Sequence, residues 1–218
     1  MNQELQINKK AVGQPSNKNM KKLVCLLLFV SFFSKISYAQ DKKEAINDFL
    51  QTIVPDYSQK IFIIQEKTST NHVIDIFKGK TSKDSLTNEY KRDEREEIKP
   101  PLYNEEDWAE MKKKYYHKIE KHNSWVSNDF NYKNVEFFSS HLLIEFIVNH
   151  FEKHLPITNV FSFSEPILYS AKKFLVFKVG QGTTESINGL TDNYLIIMKK
   201  ENGKWIVISK SYQLDLFY

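Results

Sequence analysis

Cysteine is all but missing from this chain. The single one, Cys25, lies in an apolar run near the N-terminus, so residues 40–218 have no thiol chemistry and no disulfide, and the core alone must hold them. Glycine and proline are scarce as well, six of each in 218 residues, and no linker is flexible enough to demand a second domain. Internal repeats are absent. So are long apolar runs: Leu23 to Phe33 is closed by Lys35, short of the roughly 20 residues that a membrane span needs. Nucleophile signatures are missing, with no G-x-S-x-G elbow and no S-x-x-K followed by K-T-G. Gly180-Gln181-Gly182 lacks the third glycine of a phosphate loop and leads to no helix, so it reads as a β-loop. Excess charge is lacking too. The formal charge is +4, but residues 1–39 hold six lysines and one glutamate; removing these from 31 basic and 27 acidic residues leaves 25 and 26, a charge of −1. A near-neutral domain has no electrostatic footprint for nucleic acid.

What is present is globular: 41% hydrophobic and 27% charged residues, with aromatics at 14% to enrich core and pockets. The basic excess belongs to an export signal. Lys18, Lys21 and Lys22 precede the apolar Leu23–Phe33 run, and Ser37-Tyr38-Ala39 forms a small-x-small site ahead of Gln40. This order predicts cleavage between Ala39 and Gln40, a periplasmic or extracellular location, and no stable membrane span after cleavage. Residues 1–39 are thus the N-terminal extension and signal peptide, and residues 40–218 a single α+β domain.

Within that domain, Asp41 to Val54 reads as an amphipathic helix capped by Asp41 and ended by Pro55. Lys60 to Glu66 reads as a buried strand, with Val73 to Lys78 as its antiparallel partner. A charged, solvated loop or short exposed helix is predicted near 79–101, centred on Arg92 to Glu97. Asn104 should cap the next helix, whose first turn holds Glu105, Glu106 and Asp107 and whose later turns hold lysines, with Trp108, Met111, Tyr115 and Ile119 as the buried stripe. A third helix, about Ser140 to His154, places Leu143, Phe146, Ile147 and Phe151 on one face. Strands follow at Phe161–Phe163, Phe174–Val179, Asn193–Lys200 and Lys204–Lys210, the last pair joined by Asn202-Gly203. A two-residue turn there pairs Met198 with Val207 and Ile197 with Ile208, making Ile208 a buried position. The expected architecture is α+β, with amphipathic helices packed on an antiparallel sheet that ends in a β-hairpin.

Candidate chemistry is thin. His150 and His154 stand four apart, a spacing that on a helix shares one face and can hold a metal ion. Yet His150-Phe151-Glu152-Lys153-His154 is neither H-E-x-x-H nor H-x-x-E-H, and imidazoles in a last helical turn already suit the helix dipole. His117 and His122 read as solvated positions on a basic face. Trp108, Trp125 and Trp205 read as packing residues before they read as a sugar- or peptide-stacking platform. No catalytic residue, metal site or cofactor is predicted.

One cadence is familiar. Phe163-Ser164-Glu165-Pro166-Ile167, a strand around Phe174 to Val179, a glycine-containing loop and Lys200-Glu201-Asn202-Gly203-Lys204-Trp205 follow in order. The order resembles small exported uncharacterised bacterial proteins that carry an F-S-x-P-[IV] segment before a closing N-G-K-W hairpin. Asp107 and Trp125 would correspond to the Asp-bearing helix and following Trp of those proteins; their frequent Cys-Gly loop has no counterpart here. The resemblance spans about a third of the chain. It implies export and an unassigned role, and it lends no catalytic residue. A weaker likeness is to NTF2-like folds, which end in a similar hairpin. Three functions follow as expectations. The leading one is a non-catalytic binding or interaction domain for a protein or an envelope component. The second is a hydrolase or metal-assisted enzyme, which requires His150, His154 and a carboxylate such as Glu145 to converge in a pocket. The third is a small-ligand carrier of NTF2-like type, which requires a large apolar cavity.

Overall fold

The computed structural model describes residues 40–78, 80–83, 90–92, 98, 100–116, 123–186, 190 and 192–212. Apart from Gln40, these belong to one unit, Asp41–Tyr218. The apolar run Leu23–Phe33, Ala39, His117, Ile119, His122 and the charged stretch Asp93–Glu97 lie outside the described residues.

Helix α1 (40–53) buries Ala45, Ile46, Phe49 and Leu50, as its period requires. Asp41 sits within the helix and does not cap it; its carboxylate accepts from Lys200 at 2.6 Å. Strand β1 (Ile61–Ile64) is buried at every position, because sheet neighbours flank it and helices or loops cover both faces. The expected strand at Val73–Lys78 is instead the end of helix α2 (Thr70–Phe77), with Lys78 as its C-cap. Ser69 Oγ accepts from the Asn71 N–H at 3.2 Å, and Val73, Ile74, Ile76 and Phe77 fall at helical spacing, which outweighs their β-branched content. Part of the expected charged loop is also regular: β2 (Lys80–Lys83) and β3 (Tyr90–Arg92) form a two-stranded antiparallel ribbon.

Helix α3 (Glu105–Tyr115) begins where expected. Asn104 Oδ1 accepts from the N–H groups of Glu106 and Asp107 at 2.9 and 3.1 Å. Its buried Trp108 donates from Nε1 to the Ile74 carbonyl at 3.0 Å, which docks α3 on α2. Strand β4 (Val135–Phe138) leads through a short 3-10 turn, Ser140–Leu142, into α4 (Leu143–Glu152). The remainder is β5 (Asn159–Phe163), β6 (Ile167–Tyr169), β7 (Phe174–Thr183), β8 (Asp192–Glu201) and β9 (Lys204–Tyr212).

Seven strands make one mixed sheet in the order β4-β1-β5-β7-β8-β9, and β6 pairs with β7 beyond the end of β5. The α+β class stands, and most strand pairs are antiparallel; β4 and β5, however, both run parallel to β1. Helix α1 packs on one sheet face, where the Phe49 ring meets Phe177 edge-on at 5.7 Å and Phe163 at 6.4 Å. Side chains alternate along each strand, so Val176, Leu195 and Ile197 face the other way, into a cluster with α2 and α3. Phe62 and Val160 share that second face and lie beneath α4.

Two expectations within the sheet fail for local reasons. Gly180-Gln181-Gly182 is not a loop but part of β7. A Cβ on Gly180 would stand 2.5 Å from Ser162 Oγ and 2.7 Å from Leu190 Cδ1, so the glycine marks a close approach. The hairpin turn is as expected, with Asn202 at φ 51° and Gly203 at φ 81°. Met198 pairs with Val207, but Ile197 then pairs with Ser209, so Ile208 is the extra residue of a bulge. Ile206 and Ile208 are consequently 45% and 37% exposed, and β9 is the sheet edge, not its interior.

Candidate functional site

Helix α4 is apolar on two sides. Inward, Leu143, Phe146, Ile147 and His150 meet the sheet, with Phe146 stacked on Phe138 at 4.5 Å and edge-on to Phe62 at 4.7 Å. The helix would otherwise be complete, yet Ile144, Val148 and Phe151, spaced four and three apart, point away from the sheet. Together with Leu142, Leu155 and Ile157 they are between 41% and 59% exposed. Phe151, expected on the buried face, is thus on the open one. Glu145 and Glu152 are exposed beside this stripe, and neither carboxylate makes a hydrogen bond or ion pair among the described residues.

His150 and His154 part company here. His150 is buried against the rings of Phe62 and Phe146, and its Nε2 lies 2.9 Å from the Pro156 carbonyl oxygen. A carbonyl only accepts, so Nε2 carries the proton and staples the helix end to the chain beyond it. The helix stops at Glu152, and His154 takes a left-handed φ of 50° in the exposed turn that follows. The two imidazoles therefore do not share a helical face. Among the described residues no group of three or more His, Cys, Asp or Glu side chains is placed to hold a metal ion.

A crevice of about 270 Å³ opens between α3 and the β6–β7 turn. Asp107, Glu110 and Lys114 edge it from the helix, Tyr169 from the end of β6, and Ser170 and Lys172 from the turn. Ser170, Ala171 and Lys172 all have left-handed φ, at 49°, 50° and 70°, a costly run for residues with a Cβ. Its lining mixes these charged side chains with the apolar Met111, Leu168 and Ala171.

The F-S-x-P-I segment proves to be structural glue. Phe163 is buried beneath Phe49, and Ser164 exchanges two hydrogen bonds with the backbone of Lys178, at 2.9 and 3.0 Å. Glu165 accepts from Lys42 on α1 and from Lys67 at 3.3 Å. Burial pushes the Glu165 carboxyl up, but the bonds and charges of the two lysines outweigh it and hold it below the usual carboxylate range. Lys67 in turn lies 4.5 Å over the Trp125 ring, whose Nε1 donates to the Phe163 carbonyl at 3.3 Å. All three tryptophans are buried, so they pack and offer no open stacking platform. Trp205 Nε1 is buried without a hydrogen-bond partner among the described residues.

Sequence reasoning misses one polar pair. Lys178 is buried on the face that α2 covers, and burial pushes its pKa down to about 8. His72 on α2 is pushed down to about 4, by burial first and by the charge of Lys178 second. Nothing in the run Phe174–Val179 marks Lys178 as buried, since its neighbours are apolar on both sides. Among the described residues no helix is long and apolar enough to cross a membrane. Compared with known proteins, the chain matches no family model, no curated protein and no solved structure.

Proposed function

We propose that this chain is an exported, non-catalytic interaction domain whose α4 outer face seats a partner in the envelope or outside the cell. The observation that carries the reading is the stripe Ile144, Val148 and Phe151 on α4, with Leu142, Leu155 and Ile157 exposed in the chain just before and after the helix. A helix apolar all round belongs in an interior, and α4 has only half of one. Scattered surface apolar residues need no explanation, but a row at helical spacing is characteristic of an interface. The export half of the reading rests on the Lys18–Lys22, Leu23–Phe33 and Ser37–Ala39 order.

Magnitudes limit what the stripe does by itself. A half-exposed side chain of this size leaves roughly 1 kcal/mol of burial unrealised, so six give about 6 kcal/mol. Association costs about 4–15 kcal/mol, so the apolar row supplies a seat and polar contacts must supply the rest.

Size-exclusion of native-host extracts tests the proposal. The wild-type protein is expected in an assembly larger than its own mass, and Val148→Asp/Phe151→Asp is expected to elute alone with an unchanged urea midpoint. Both positions are exposed, so the fold should tolerate the charges. Identical elution of the two proteins would overturn the reading.

A further inference from the structure

Resting on α4 as the interface, we infer that its partner presents an amphipathic helix with lysine or arginine beside its apolar stripe. At about 100° per residue, Ile144, Val148 and Phe151 fall within about 60° of one another, and Glu145 and Glu152 both lie about 80–100° round from Ile144 on the same open flank. Seven residues separate the two carboxylates, so they stand two turns apart in a line along the stripe. Both are exposed, and neither is neutralised by a cation among the described residues. The opposite flank is closed, because Ile147 and His150 there are buried against the sheet. Lys153 lies on the far side of the helix from the stripe, about 180° round from Ile144. An occupant therefore meets apolar side chains bounded by one row of negative charge. Basic residues seven apart on a helix of similar length would reach both carboxylates while apolar residues cover the stripe.

The same charges disfavour other occupants. A second copy packed antiparallel about Val148 would set Glu145 beside Glu152 across the two-fold axis, a like-charge pairing made twice. An anionic lipid surface would meet the carboxylate row with its own charge.

Two synthetic 14-residue helical peptides with identical leucine spacing, one flanked by lysine and one by glutamate, separate these cases by fluorescence anisotropy against the full protein. The lysine peptide is expected to bind at least tenfold tighter, with affinity falling as salt rises. Glu145→Lys/Glu152→Lys should reverse the order, and Val148→Asp should abolish binding of either peptide. Equal binding of both peptides, unaffected by charge reversal, would overturn the basic partner and leave the interface standing. No binding of either peptide would overturn the interface as well. Association with phosphatidylcholine or phosphatidylglycerol vesicles in place of the peptides, or a dimer in sedimentation that Val148→Asp dissolves, would overturn the inference in favour of a lipid surface or a second copy.

Discussion

Lys178 shows how one residue resists both its sequence context and its surroundings. Its ammonium is carried to a buried sheet position between Val176 and Gly180, and its pKa falls to about 8 against about 10.4 in an unfolded chain. A folded-state pKa below the unfolded one means that, between these values, the unfolded chain holds a proton that the folded chain has released. Stability at this site therefore rises as pH climbs from about 8 to about 10, and the cost of the buried charge is present in full below that window. Lys178→Met is expected to be more stable than wild type near pH 7 by about 1–3 kcal/mol, an advantage that shrinks toward pH 10. Urea midpoints at both pH values measure this; an advantage independent of pH would show that lost contacts, not charge, set the difference. His72 beside it is neutral near pH 7, with a pKa of about 4. Neither residue is legible in sequence, because a lysine inside an apolar strand looks the same whether its tip reaches solvent or a helix roof.

Elements were legible where a local signal had no competitor. Asn104 and the acidic first turn behind it define the start of α3, and Asn202-Gly203 defines the last turn. Two competing signals misled: β-branched residues in α2 suggested a strand, and simple counting from the turn hid the bulge at Ile208. Those details set the expected energetics of the hairpin. Gly203 holds φ 81°, which a β-branched side chain resists, so Gly203→Val is expected to cost roughly 1–3 kcal/mol. Ile208 opposes no residue on β8 and is 37% exposed, so Ile208→Ala is expected to cost less than about 1 kcal/mol, well below the cost of a buried truncation. Urea denaturation of the two variants should rank them in that order. The reverse ranking would mean that the bulge packs more tightly than its exposure implies.

At the scale of the whole molecule, periodicity and strand count sufficed for the α+β class, while the parallel β4-β1-β5 group had no sequence signature of its own. The exposed stripe of α4 was hidden for a related reason: a helix with apolar residues on two sides does not say which side meets the sheet. Export is likewise expected to leave a mature chain that begins at Gln40, and intact-mass measurement of protein recovered outside the cytoplasm checks it. Recovery with Leu23–Phe33 still attached would contradict that expectation.

The parallel group also bears on the order in which the chain acquires its structure. Ile61 pairs with Val135 and with Asn159, 74 and 98 positions further along, whereas β7, β8 and β9 meet their partners through short connections. Closing those long loops costs entropy before any contact rewards it, so the C-terminal meander can assemble locally while β1 still waits for both neighbours. Whenever the chain is delivered N-terminus first, it therefore presents β1 long before that strand can pair. Under the proposed export, such lateness at the leading end would keep that end extended during passage, because β1 has no partner until β4 and β5 have followed it.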